Sequence, residues 1–141
     1  MRLLLVVQDP RYRTLLRHHI TCAWPDAKID YRSARSEETL PPEFLAQCYD
    51  AVVLDEDWLQ GQGLTWLRDL ATRRGFAPIV FLSHESDSPA AREARLCGAF
   101  GVIPRQGFAH QTLIAVLEEA ARMQRRAQAD WRISPAAEAS R

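Results

Sequence analysis

Short apolar runs recur five times along the chain, and each is followed by a longer segment with an amphipathic or capped pattern. The runs are LLLVV (3–7), AKIDY (27–31), AVVL (51–54), PIVFL (78–82) and FGVI (100–103). Continuous runs rich in Val, Ile and Leu are typical of strands that are covered on both faces. The pattern therefore predicts an α/β protein in which a five-stranded parallel sheet lies between two layers of helices.

Polar caps mark where the intervening helices begin. Each predicted start places a Ser or Asp before a residue that suits a first helical turn, at Asp9-Pro10, Ser36-Glu37-Glu38 and Ser88-Pro89. Pro41-Pro42 should interrupt the second helix, because proline lacks the amide hydrogen that a helix interior uses.

The C-terminal part of the chain predicts one extended helix. After Gly107 the apolar residues keep helical spacing, which favours a helix over 109–130. The final segment, SPAAEASR, has the composition of a linker. We expect one domain over 1–125, and a helix extension and linker over 126–141 that lead to another domain in a longer protein.

Composition narrows the classes of function. A chain of 141 residues, 47% hydrophobic and 26% charged, suits one domain. Its 18 basic and 18 acidic residues balance, so no overall charge favours nucleic acid or an anionic membrane. No apolar stretch suits a secretion signal or a membrane span, which predicts a cytoplasmic protein. Cys22, Cys48 and Cys97 have neither the number nor the spacing of a disulfide framework or zinc knuckle.

Polar residues follow four of the predicted strands. They are Gln8 and Asp9 after the first strand, Asp55 after the third, Ser83 after the fourth and Arg105 after the fifth. The carboxyl ends of parallel strands meet at one edge of the sheet, where ligands bind in this class of fold. A carboxylate, a hydroxyl and a cation at that edge predict a site for a phosphoryl group or another small anion.

Three motifs resemble the receiver domain of two-component response regulators, and the resemblance covers residues 1–125. YDAVVLDEDWLQGQGL resembles the family's third strand and loop, with Asp55 at the phospho-acceptor position and Gly63 at the loop's glycine. PIVFLS places Ser83 at the family's Thr or Ser, and GAFGVIPR places Arg105 where the family has Lys. The resemblance implies a flavodoxin-like (βα)5 three-layer sandwich.

The first strand departs from the family's pattern. Receiver domains carry an acidic pair there, and aligning PRYR on the family's motif puts that pair at Val7 and Gln8. The family's metal ligands that remain are Asp55 and the backbone carbonyl of Asp57, while Asp9 lies one step beyond the pair. Mg²⁺ prefers several oxygen ligands, so we expect its binding to be weak. For Asp9 an N-cap role is favoured over metal ligation.

The switch positions also differ. Arg105 keeps the positive charge of the family's Lys on a planar guanidinium with a different reach. We expect Ser83 and Arg105 to hydrogen-bond Asp55 in a fixed network that mimics one state of the switch. These departures predict an atypical receiver domain in which Mg²⁺-dependent phosphorylation at Asp55 is weakened or lost.

The resemblance implies a regulatory module and no enzymatic activity. Its expected partners are a sensor kinase, an attached output domain, and a second copy bound through the fourth helix, fifth strand and fifth helix. The first alternative is a working receiver that accepts a phosphoryl group on Asp55 from a histidine kinase. A flavin-binding or hydrolytic enzyme is a second alternative, although QDPRYR lacks a phosphate-cradling loop. A purely structural dimerisation module is the third, and nucleic-acid binding by this segment is not expected.

Overall fold

A computed structural model describes residues 1–32, 41 and 44–133 of the chain. Its elements alternate between strands and helices, in the order β1 (Arg2–Val6), α1 (Pro10–Ala23), β2 (Lys28–Tyr31), β3 (Ala51–Asp55), α2 (Trp58–Gly61), α3 (Gly63–Thr72), β4 (Ile79–Ser83), α4 (Pro89–Leu96), β5 (Gly101–Pro104) and α5 (His110–Ile133). Each predicted strand is present, with its ends shifted by one residue at most positions.

The five strands form one parallel sheet in the order β2-β1-β3-β4-β5. This is the flavodoxin-like order, so the predicted fold class is confirmed. Every residue of β3 and β4 is buried, as the continuous apolar runs predict for central strands of a parallel sheet.

Alternate residues along each strand enter two separate apolar layers. Leu4 and Val6 pack on one side of the sheet with residues of α3 and α4. Leu3 and Leu5 pack on the other side with residues of α1 and α5. Because successive strand side chains point to opposite faces, one apolar run supplies both layers of the sandwich.

Two predicted helix caps are confirmed. The Asp9 carboxylate accepts from the backbone N–H of Arg11 at 2.9 Å. The Ser88 hydroxyl oxygen accepts from the N–H of Ala91 at 3.1 Å. The third predicted cap, Ser36-Glu37-Glu38, lies outside the described residues, as does Pro42 of the predicted helix interruption.

The last helix begins at His110, one residue after the predicted start at 109, and reaches Ile133, three residues beyond the predicted end. Its first half packs Leu113 and Leu117 against the sheet. Further along, the Gln124 side-chain amide donates to the carbonyl of Tyr49 at 3.2 Å, which ties the helix to the segment before β3. None of the helices in the described part of the chain is both long enough and apolar enough to cross a membrane.

Candidate functional site

The carboxyl edge of the sheet brings three of the sequence-predicted residues together. Asp55 is the last residue of β3, Ser83 is the last residue of β4, and Arg105 directly follows β5. Strand pairing sets these ends beside each other, because Asp55 is in register with Leu82 and Ser83 is in register with Pro104. Asp55 and Ser83 are both buried.

Asp55 is a buried carboxylate with few partners. Its residue is 1% exposed, and its Oδ1 accepts from the backbone N–H of Asp57 at 3.2 Å. The Nε of Arg105 lies 3.5 Å from the same oxygen. Burial raises the pKa of Asp55 above its ordinary value, although the Asp57 N–H and the Arg105 charge oppose that shift.

The raised pKa predicts how Asp55 affects stability. Folding then costs more when Asp55 is ionised, so its stabilising contribution is complete below the unfolded pKa and is lost as pH rises through the folded pKa. Relative to the wild type, Asp55→Asn should become increasingly stabilising as pH rises from the unfolded pKa of the carboxyl through its higher folded pKa. Urea unfolding at several pH values measures this difference.

Asp9→Asn is the matched control for that experiment. The Arg11 N–H lowers the pKa of the Asp9 carboxyl, so its contribution is present above the unfolded pKa and is lost as pH falls. Asn keeps the capping oxygen, and the wild-type advantage over this variant should shrink on acidification. Parallel pH profiles for both variants would contradict the assignment of the shift to burial of Asp55.

Arg105 is held mainly by Asp57 and not by Asp55. Its Nη1 donates to Asp57 Oδ2, whereas its buried Nε has no hydrogen-bond partner among the described residues. The guanidinium also lies 5.0 Å from the ring centroid of Tyr12, a cation–π arrangement. The Tyr12 hydroxyl donates to the Arg105 carbonyl, and burial raises the pKa of Tyr12 to about 12. These contacts hold the Arg105 guanidinium near the buried Asp55 carboxylate.

The Ser83 hydroxyl is engaged within its own loop. It donates to the carbonyl of Glu85 at 2.5 Å. Ser hydroxyls readily bond a backbone group two residues away, and this local contact replaces the expected hydrogen bond to Asp55. The predicted hydrogen bond from Ser83 to Asp55 is therefore wrong. Arg105 does contact Asp55, but as an ion pair without a hydrogen bond.

Val7 and Gln8, which the sequence aligns with the acidic pair of receiver domains, have structural contacts of their own. Val7 is fully buried in the apolar layer that faces α1 and α5. The Gln8 side-chain oxygen accepts from the backbone N–H of Leu59 at 3.1 Å. Leu59 and Gln60 have left-handed backbones, with φ of 50° and 59°, which cost about 1–2 kcal/mol each. Gln8 thus anchors a strained turn.

Asp9 directs its carboxylate to the start of α1. One oxygen accepts the Arg11 N–H, and the Arg11 Nε lies 3.7 Å away. Through these contacts the Asp9 side chain acts as the cap of α1.

Sequence reasoning missed the part that His84 plays. Its Nε2 lies 2.6 Å from Asp57 Oδ1, and its Nδ1 lies 3.0 Å from Glu56 Oε2. The imidazole therefore joins the loop after β3 to the loop after β4. Only its position in the sequence could have indicated this role, because His84 directly follows Ser83 at the carboxyl edge of the sheet.

The fold and the site permit comparison with known proteins. No protein-family model matches the sequence, and no curated protein matches it. Among solved structures, a response regulator receiver protein from Pseudoalteromonas atlantica is similar at a TM-score of 0.64 and 18% identity, over 85% of this chain and 96% of that one. The chain has the receiver-domain fold.

Two further receiver domains support the same conclusion. The BeF3-activated receiver domain of RstA from Klebsiella pneumoniae has a TM-score of 0.68 and 22% identity, over 86% of this chain and 99% of that one. The receiver domain of a sensor histidine kinase from Pseudomonas aeruginosa, which holds a magnesium ion in its active site cleft, has a TM-score of 0.64 and 16% identity, over 85% of this chain and 96% of that one. In the receiver-domain fold of this chain, the candidate site lies at the carboxyl edge of the sheet.

Proposed function

We propose that this chain is an atypical receiver domain, a cytoplasmic regulatory module of two-component signalling with weakened or lost Mg²⁺-dependent phosphorylation at Asp55. The observation that carries the proposal is the pairing of Arg105 with Asp57 at an edge of the sheet where Val7 and Gln8, and no acidic pair, follow the first strand. In this state the cation at the switch position is neutralised by a protein carboxylate without a phosphoryl group on Asp55.

The residues present fit Mg²⁺ poorly. The Asp55 carboxylate and the Asp57 carbonyl are the family's two remaining ligands, and that carbonyl accepts from the N–H of Gly61 at 3.4 Å. The Val7 side chain has no oxygen, and the Gln8 side-chain oxygen already accepts a hydrogen bond from the N–H of Leu59. Mg²⁺ requires near-octahedral oxygen ligation and keeps several waters, so the loss of the two acids removes most of the charge that would hold it.

The expected partners follow from this assignment. We propose that a sensor kinase and an output domain beyond 126–141 interact with the domain over 1–125, and that the module acts without enzymatic activity of its own. The proposed surface for a second copy comprises α4, β5 and α5. Leu96, at the end of α4, is a large apolar side chain that is 84% exposed, which supports a protein contact there.

Titration with Mg²⁺ and then with beryllofluoride tests the proposal. In a two-dimensional amide NMR spectrum we expect no saturable shifts at about millimolar Mg²⁺, because the acidic pair is absent. Saturable shifts at Asp55, Ser83 and Arg105 that spread through 100–120 would contradict the proposal and favour a working switch.

A working phospho-receiver is the second candidate function. The burial of Asp55 and Ser83 at one edge, with the Arg105 side chain nearby, favours it. Magnesium-dependent labelling of the wild type by a small phosphodonor, lost in Asp55→Ala, would establish this alternative. Equal labelling of both proteins would place the modified group elsewhere.

A further inference from the structure

The loops after β3 and β4 bring three metal-ligating side chains together outside the Asp55 pocket. Glu56, Asp57 and His84 can each offer one ligand atom, and these atoms lie within 4.8 Å of one another. We propose that they form a binding site for a divalent cation of the zinc class, separate from the oxygen-only position expected at Asp55.

The donor types select this class of ion. Imidazole suits zinc and its neighbours among the first-row metals, whereas Mg²⁺ takes oxygen ligands almost exclusively. Two carboxylates and one imidazole leave at least one coordination position for water, as in open zinc sites with three protein ligands. The site therefore discriminates against Mg²⁺ through His84.

The three ligand atoms would have to move only slightly closer together to bind one ion. Zinc binds nitrogen and oxygen at about 2.1 Å, so two ligand atoms on a tetrahedral ion lie about 3.4 Å apart. One nitrogen of His84 would bind the ion together with Glu56 and Asp57. The carboxylate that now faces the other nitrogen would turn to the ion, and that nitrogen would donate to water, one of the partners that orient metal-bound histidines. The present contacts, 3.0 Å to Glu56 and 2.6 Å to Asp57, already direct both nitrogens toward carboxylates.

Charge and access favour a cation at this position. Asp55 and Asp57 both face the guanidinium of Arg105, whereas Glu56 faces the His84 side chain. The side chains of His84 and Asp57 are 52% and 46% exposed, so an ion can reach them from solvent. The Glu56 side chain is 17% exposed, and its second oxygen accepts from the His84 backbone N–H at 3.4 Å, which ties the two loops together.

Isothermal titration of the full chain with Zn²⁺ tests this site. We expect one saturable equivalent, and a loss of affinity of at least about tenfold in His84→Gln, since even residues that only orient a ligand change metal affinity by about that much. Folding of the variant is checked by its far-ultraviolet circular dichroism. In the wild type, the nitrogen-15 resonances of the His84 ring should shift on addition of Zn²⁺.

A thiol–imidazole pair on α1 supplies the matched control. Cys22 Sγ lies 3.9 Å from His18 Nε2, so these two side chains are one pair of competing ligands for a soft cation. Cys22→Ser should leave the affinity unchanged. His19 and His110, whose Nδ1 atoms lie 2.8 Å apart, are a second pair, and His19→Gln should likewise leave the affinity unchanged. Zinc binding that survives His84→Gln, that disappears in Cys22→Ser, or that is abolished by Asp55→Asn would overturn the proposal, as would the absence of saturable binding.

Discussion

Gly63→Ala is expected to lower the free energy of unfolding by about 3 kcal/mol, the upper end of the range for inserting atoms into well-packed structure. A Cβ at position 63 would lie 2.2 Å from the carbonyl oxygen of Asp55 and 2.7 Å from the Cα of Glu56. Both are backbone atoms that no rotamer change can move away. The first turn of α3 would have to separate from the end of β3, which displaces the Asp55 pocket. Urea unfolding with a fixed slope measures the change.

Gly61→Ala is the control that separates steric overlap from backbone strain. Gly61 has a φ of +93°, and nothing lies within 4 Å of a Cβ built on it. Its replacement should cost about 1–2 kcal/mol, through the left-handed conformation alone. Equal losses in the two variants would show that close approach to Asp55 does not determine the requirement for glycine at position 63.

The sheet was predictable because its signals are local. β3 and β4 are buried along their whole length, and strands covered on both faces are typically near-continuous apolar runs, which here end in the polar residues Asp55 and Ser83. The caps at Asp9 and Ser88 were predictable for the same reason, since each side chain bonds an amide within three residues of itself.

The partner of Arg105 could not be predicted from the sequence. Register places Asp55 and Arg105 at one edge, but Asp57 is two residues from Asp55 and presents a second carboxylate to the same guanidinium. Which carboxylate pairs with it depends on side-chain conformations and on burial. Asp57 is more exposed, so an ion pair there requires less desolvation than one with Asp55.

The turn after β3 was also beyond sequence reasoning. Leu59 and Gln60 both adopt left-handed conformations that non-glycine residues rarely take. The backbone preferences of Leu and Gln disfavour such a turn, so contacts from residues distant in the sequence must stabilise it. The Gln8 hydrogen bond to Leu59 is one of these contacts, so the residue that the sequence aligns with the acidic pair of receiver domains helps to hold the loop.

Gln8→Glu is expected to raise the affinity for Mg²⁺ by about tenfold or more, because an added carboxylate beside Asp55 supplies both charge and oxygen. Val6 pairs with Leu54 in the sheet, which brings the end of β1 beside the end of β3. Glu has the length of Gln, and one of its oxygens can still accept from Leu59. Mg²⁺ titration followed by amide shifts of the loop residues measures the affinity.

Two variants test whether the gain in Mg²⁺ affinity arises from a metal site that includes Asp55. Gln8→Leu removes the oxygen that accepts from Leu59 and adds no charge, so it should loosen the turn without raising Mg²⁺ affinity. Adding Asp55→Asn to Gln8→Glu should abolish the gain, because Mg²⁺ would lose the buried carboxylate at the end of β3. An increase that persists in the double variant would mean that the ion binds elsewhere on the acidic loop. The proposed loss of an acidic pair would then not explain the weak Mg²⁺ binding that we propose at Asp55.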